Sequence, residues 1–358
     1  MKKTGYWSLV LLSLMVFANS CKDKKDDDTK EEFKKEEILT NLADNYIIPG
    51  YADLQTRLNS LSDSWNNFVN SPSQAALDAV RADWQAANVS FHRVKLVEVG
   101  PAMTVGLGGA LGTFPADTVQ IENNITAGTY NLTTMENIDA IGFESLDFLL
   151  YGSDCLNKLT LSSARRTYVT DVINKMRNEV NQVVAEWSTY RSSFIAGTGT
   201  SSTSPFSLLV NAFCKDYELA KSAKLGIPIG TQSLGIQQPA YLEARRSGFG
   251  KALLLANIEA VHAVFDGKSL SGSSNGQGFD DYLNALDKGD LSATIDARFA
   301  SMEAQQSGWS GTLEEMMTTS PSVLMDYYNY MQGTVVYLKT DMAAAFGVLI
   351  TYQDGDGD

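Results

Sequence analysis

Apolar residues recur at steps of three and four through most of the chain. Tyr51, Leu54, Leu58, Leu61, Trp65 and Phe68 share one stripe, the pattern of a helix that buries a single face. Asn70-Ser71-Pro72-Ser73-Gln74 interrupts it: Pro72 suits a first helical position, and Ser71 with Gln74 fits a capping box for a helix carrying Leu77, Val80, Trp84, Phe91 and Val94. Gly100-Pro101 ends that helix. Residues 102 to 132, rich in Gly, Thr and Asn, lose the period and read as a long connection of the kind that tends to carry function. Thr133 with Glu136 predicts the cap of a further helix through Ile138, Ile141, Leu146, Leu149 and Leu150, stopped at Gly152, and a long helix follows from about Ser162 to Tyr190.

The run from Gly197 to Pro205, built of Gly, Thr and Ser, breaks every pattern and marks a domain boundary. Helical stripes resume at about 207 to 223, 241 to 266, 279 to 305 and 321 to 347. No alternating, strand-like period competes with them, and no close short repeat is present. The expected fold is all-α, two tandem up-and-down helical-bundle domains over residues 36–196 and 205–352.

Composition narrows the chemistry. Twenty-eight basic residues stand against 42 acidic ones, a net charge of -14 that disfavours a nucleic-acid partner and suits cations. With only two histidines, His92 and His262, a three-histidine metal site is impossible, and both are expected to be hydrogen-bonded packing residues.

The amino end reads as an export signal, residues 1–20, with Lys2 and Lys3 ahead of an apolar run from Trp7 to Ala18. Ala18-Asn19-Ser20-Cys21 fits a loose lipobox, so Cys21 is the expected lipidation site and mature amino terminus, with residues 21–35 as a charged, flexible tether. The acidic run after Cys21 resembles the surface-export signal of Bacteroidetes lipoproteins, which predicts an outer-membrane lipoprotein, surface-exposed or periplasm-facing. Cys155 and Cys214 then remain, free to pair or to stay apart in an oxidising compartment.

Glu144 and Asp147 lie three apart on the helix through Leu146, so their carboxylates point the same way, a turn apart. Ile141, Phe143, Leu146, Phe148, Leu149 and Leu150 leave that helix almost no other polar surface, and buried carboxylates need partners. The segment Gly142-Phe143-Glu144-Ser145-Leu146-Asp147, with its apolar run and Tyr151-Gly152, resembles the Gly-x-His-x-x-Glu signature of the imelysin-like proteins. Tyr46-Ile47-Ile48-Pro49-Gly50-Tyr51, Trp84 followed by Gly100-Pro101, Arg165-Arg166-Thr167-Tyr168, the stretch Pro239 to Ser247 and the closing Asp354-Gly355-Asp356-Gly357-Asp358 match the same family. The resemblance implies two helical bundles with the signature near their interface, an envelope location and a link to iron uptake, beside a historical assignment as metallopeptidases.

The sequence departs from the family where the chemistry would sit. Glu144 stands in place of the histidine and Asp147 in place of the glutamate, so the pair offers oxygen donors alone, suited to a hard cation such as calcium or iron. A zinc hydrolase needs three protein ligands and an open water position. Glu98, Glu243 and Arg246 are the further ligand-binding candidates: the acids by converging on the pair, Arg246 alternatively by neutralising it. Asp354, Asp356 and Asp358 have the spacing that opens a calcium loop but lack its distal glutamate and read as an acidic tail; Tyr327, Tyr328 and Tyr330 read as core and boundary residues. The expectation is a lipid-anchored, non-catalytic protein that binds a metal ion, a metal chelate or envelope uptake proteins. An imelysin-type metallopeptidase and a structural or adhesive surface lipoprotein are the alternatives.

Overall fold

The computed structural model describes residues 33–352; the signal segment, Cys21, most of the tether and the aspartate tail lie outside the described residues. Among the described residues, nine helices precede residue 197: α1 (Lys35–Leu42), α2 (Ile48–Asn70), α3 (Gln74–Lys95), α4 (Pro101–Val105), α5 (Leu107–Gly112), α6 (Thr118–Ala127), α7 (Gly142–Tyr151), α8 (Cys155–Leu161) and α9 (Ser163–Ala196). Eight follow: α10 (Pro205–Leu219), α11 (Ile227–Ile229), α12 (Gly250–Phe265), α13 (Phe279–Ala285), α14 (Gly289–Ser307), α15 (Leu313–Thr319), α16 (Pro321–Val335) and α17 (Ala343–Ala345). The chain is all-α, as its periodicity predicts.

The apolar stripes become the packing faces. Tyr51, Leu54, Leu58, Leu61, Trp65 and Phe68 of α2 are all buried, and α2 lies against both α3 and α9. The two-faced element is α3, which packs on α2 and also on α12, so it joins the helices before residue 197 to those after it. Beyond it α12 meets α14, and α14 meets α16. Helices of both groups belong to one compact unit that begins at Lys34.

Several local expectations are corrected. Ser73, rather than Ser71, caps α3: its hydroxyl accepts the Ala76 N–H at 3.2 Å, and Pro72 falls in the connection. Residues 102 to 132 are not one long loop but hold α4, α5 and α6, the last capped by Asp117 through the Val119 and Gln120 amides. The helix expected from Thr133 is a single tight turn at Met135–Asn137, and α7 starts only at Gly142. Gly142 has φ +77, and a Cβ there would lie 2.5 Å from the Leu111 carbonyl oxygen, so this close crossing of α5 and α7 requires glycine. Cys155 and Cys214 are both buried and both free; the Cys155 thiol donates to the Leu150 carbonyl at 3.1 Å instead.

Two further stripes change character. The helix expected over 279–305 is broken between α13 and α14, and the one expected from 241 begins at Gly250, leaving 242–249 irregular. Wide π-helical turns interrupt the regular helices at Ala43–Ile47, Ala220–Gly226 and Val336–Met342, and such turns often re-aim side chains at functional sites.

Candidate functional site

The amphipathic code of α7 places its carboxylates inward. Trp84 of α3 donates from Nε1 to the Phe143 carbonyl at 3.1 Å, Tyr168 of α9 donates to Ala140 at 2.7 Å, and Arg81 donates to Leu150 at 3.0 Å. Fixed by those three anchors, Glu144 and Asp147 are almost fully buried, 4% and 0% exposed.

Their partners are main-chain amides. Glu144 Oε1 accepts the Ala244 N–H at 2.8 Å, while Asp147 Oδ2 and Oδ1 accept the Arg246 and Ser247 N–H groups, each at 3.0 Å. Ala244 adopts φ +49 and the Phe249 N–H returns to its carbonyl, which curls 244–249 so that three amides face α7. Successive amides turned to one side form an anion cradle, here filled by the protein's own acids. Burial raises the Glu144 carboxyl well above its ordinary range, and Asp147 and Glu243 add to the shift. Burial also raises Asp147, opposed by Ser247, the two amides and the Arg246 charge. The Arg246 side chain itself lies over the Phe148 ring, 4.8 Å from its centroid.

Glu243, one residue before the cradle, belongs to a second buried cluster. Its Oε2 accepts from Lys224 Nζ at 2.6 Å and its Oε1 faces His92 Nε2 at 3.0 Å. Burial alone would raise this carboxyl, but Lys224 and His92 hold it well below the usual carboxylate range. Burial pushes Lys224 down to about 8 even against the pull of Glu243. His92 Nδ1 faces the Asn88 carbonyl at 2.8 Å, so both ring nitrogens meet acceptors, an arrangement that a protonated ring satisfies fully. Burial and Lys224 nevertheless favour loss of that proton, and His92 and Lys224 compete as the cation beside Glu243.

Lys224 connects this cluster to a cleft of about 500 Å³ between the two helical groups, lined by Lys95, Glu98, Leu208, Lys215 and Asp216 among others. The π-helical turn Ala220–Gly226 carries Lys224. Glu98 accepts the Gly108 N–H at 2.6 Å. Burial raises Glu98, opposed by that amide and by Lys215 and Lys95. Lys95 Nζ lies 3.9 Å from Asp216 Oδ1, beyond hydrogen-bond range, and Asp216 Oδ2 is held by Asn257 at 2.8 Å.

The sequence candidates therefore line one seam in separate roles. Glu144 and Asp147 sit in the cradle, Glu243 sits beside it with Lys224 and His92, Glu98 faces the cleft, and Arg246 contributes its amide to Asp147. The donor set does not fit a zinc hydrolase centre: among the described residues these acids form no group of three ligand atoms within 4.8 Å. Sequence reasoning missed Lys224, Lys95 and Asp216, which carry no motif, and could not foresee that amides would meet the acid pair. His92 is the hydrogen-bonded packing residue expected. His262 is more than that: it stands among Glu303, Asp296 and Asp266, which push it up to about 10 against the effect of burial.

The family model described as Imelysin matches residues 47–321. Iron-regulated protein A of Synechococcus elongatus is 23% identical over 205 residues, covering 55% of this chain and 56% of that protein, so the match spans just over half the relative's length. The crystal structure of an imelysin-like protein from Psychrobacter arcticum 273-4 superposes with a TM-score of 0.72 at 17% identity, over 89% of this chain and 98% of that one. A second solved chain, from Parabacteroides distasonis ATCC 8503, gives a TM-score of 0.72 at 13% identity over 88% and 95%. These structural likenesses concern the fold.

Proposed function

The chain belongs to the imelysin family, and from that premise we propose that it is a non-catalytic binding protein of the cell envelope, tethered through lipid on Cys21. Its ligand is an anionic metal chelate held in the seam cleft for an uptake system. The observation that carries this reading is the cleft itself. In a chain of net charge -14, Lys95, Lys215 and Lys224 outnumber Glu98 and Asp216 around one cavity of about 500 Å³ with Leu208 and Leu219 along its wall. That volume and that mixture of apolar wall and few charged groups suit a small organic ligand. The relative's name, iron-regulated protein A, puts ferric hydroxycarboxylates first among the probes. Against a peptidase reading stands the engagement of Glu144 and Asp147 with three amides, which leaves them acting as a clasp.

Equilibrium dialysis with ferric citrate, citrate and heme tests this on the protein lacking residues 1–21, beside Lys215→Glu and Ala212→Trp. Saturable binding of one equivalent of ferric citrate, weakened at least tenfold by either substitution, is expected. No binding of any probe overturns the proposal, and equal affinity for citrate and ferric citrate removes the metal from it. Chelator-sensitive peptide cleavage abolished by Glu144→Gln would restore the peptidase reading.

A further inference from the structure

The second histidine leads to a place on the molecule away from the seam carboxylates. His262 and Asp266 are four residues apart at the end of α12, and therefore on one face. Asp296 and Glu303, two turns apart on α14, come up against that face where the two helices pack. His262 Nε2 lies 2.9 Å from Asp296 Oδ1 and 3.3 Å from Asp266 Oδ2. Ligand atoms of all three residues fall within 4.8 Å of one another.

We propose that His262, Asp266 and Asp296 form a divalent transition-metal site, with Glu303 as the residue that positions His262. Three features support it. First, ligands about 2.1 Å from a tetrahedral ion stand about 3.4 Å apart, against 2.9 and 3.3 Å here from Nε2, so an ion enters with side-chain movements of a few tenths of an ångström as it displaces the Nε2 proton to solvent. Second, Glu303 lies outside the ligand set and takes Nδ1 at 2.7 Å. That bond turns Nε2 toward the two aspartates, as the carboxylate partner of a metal-bound histidine does. Third, the ring is fixed from behind by Phe299, 5.6 Å between centroids, while the Asp296 side chain is 55% exposed and gives the ion a path in.

The donor chemistry selects the class of ion. One imidazole nitrogen and two carboxylates suit zinc or ferrous iron, whereas calcium prefers an all-oxygen shell. Three protein ligands leave positions for water, so the bound ion is exchangeable rather than sealed in. Lys268 is the built-in competitor: its Nζ lies 2.6 Å from Asp266 Oδ2 and must swing away when the ion binds, which its exposed position allows. This site is independent of the cleft and of the proposed chelate binding.

Isothermal titration with Zn²⁺ after removal of adventitious metal tests the site on the protein lacking residues 1–21, which retains the whole compact unit. One equivalent should bind in the parent. Asp296→Asn, at an exposed position that leaves the core untouched, should weaken it at least tenfold, as should His262→Gln. Glu303→Gln should weaken it by about tenfold through loss of ring positioning. Lys268→Met should tighten it, an effect that no mere surface ion pair predicts. Glu144→Gln should leave it unchanged, which separates this site from the seam. Absence of a one-equivalent site in both the parent and Lys268→Met overturns the proposal and leaves an ion-pair staple between α12 and α14. Zinc affinity unaltered by Asp296→Asn and His262→Gln overturns it equally.

Discussion

Replacing Asp147 with alanine removes the acceptor of two main-chain hydrogen bonds at once. The Arg246 and Ser247 amides lose the acceptors they use, in a place where the carboxylate they served is 0% exposed. An abandoned donor costs about 1–3 kcal/mol when fully buried, and these two, on exposed Arg246 and half-buried Ser247, stand at the low end, about 2–3 kcal/mol together. Part is returned because the acid is itself raised by burial and sits beside Glu144, which brings the expected loss to about 1–2 kcal/mol. For a folded unit of this size that is a fall in Tm of about 2–3 °C. Asp147→Asn keeps one acceptor oxygen and should lose about half as much. Glu144→Gln keeps the acceptor for Ala244 and removes a charge near Asp147 and Glu243, so it should be neutral or stabilising. Differential scanning calorimetry at pH 7 measures the series, with near-ultraviolet circular dichroism as a check that the aromatic packing survives each substitution. The clasp reading is refuted if Asp147→Ala melts with the parent, or if Asp147→Ala and Glu144→Gln are indistinguishable.

The raised Glu144 carboxyl binds its proton more tightly in the folded than in the unfolded chain, so its contribution to stability falls as pH rises above about 4.5. Glu144→Gln should therefore gain in Tm over the parent between pH 4.5 and pH 7.5; a gain that shrinks with pH contradicts the assignment. The depressed Glu243 has the opposite sign, giving stability that is present above about 4.5 and lost on acidification, which Glu243→Gln should abolish in an acid titration followed by circular dichroism. Gly142→Ala meets both a positive φ and the Leu111 carbonyl and should cost about 2–4 kcal/mol in urea unfolding, whereas an unchanged midpoint would show that α5 and α7 separate easily. In the protein lacking residues 1–21, a thiol reagent should find two groups after unfolding without reductant and almost none before; a count of zero after unfolding would mean that Cys155 and Cys214 pair.

Along the chain, the period of three to four in Tyr51 to Phe68 and the apolar faces of the later helices determined an all-α fold, because burial of one stripe fixes both the element and its inward side. The same logic picked out Glu144 and Asp147: two acids on a helix with no other polar face must be buried and must be met by something. What met them was decided only in three dimensions. Residues 242–249 have helix-forming side chains, yet Ala244 turns to φ +49 and the amides that a helix would have used are given to α7, a tertiary demand that outweighs weak local propensity. Main-chain donors leave no trace in side-chain identity, so the cradle was invisible in sequence. The cleft was equally hidden, since Lys95, Lys215 and Lys224 come from helices that share no motif and become neighbours only when α3 packs across the seam. His262 shows the same division: its place on an apolar stripe was legible, while the acids facing it from α14 depended on how two helices pack, which spacing along one helix does not encode.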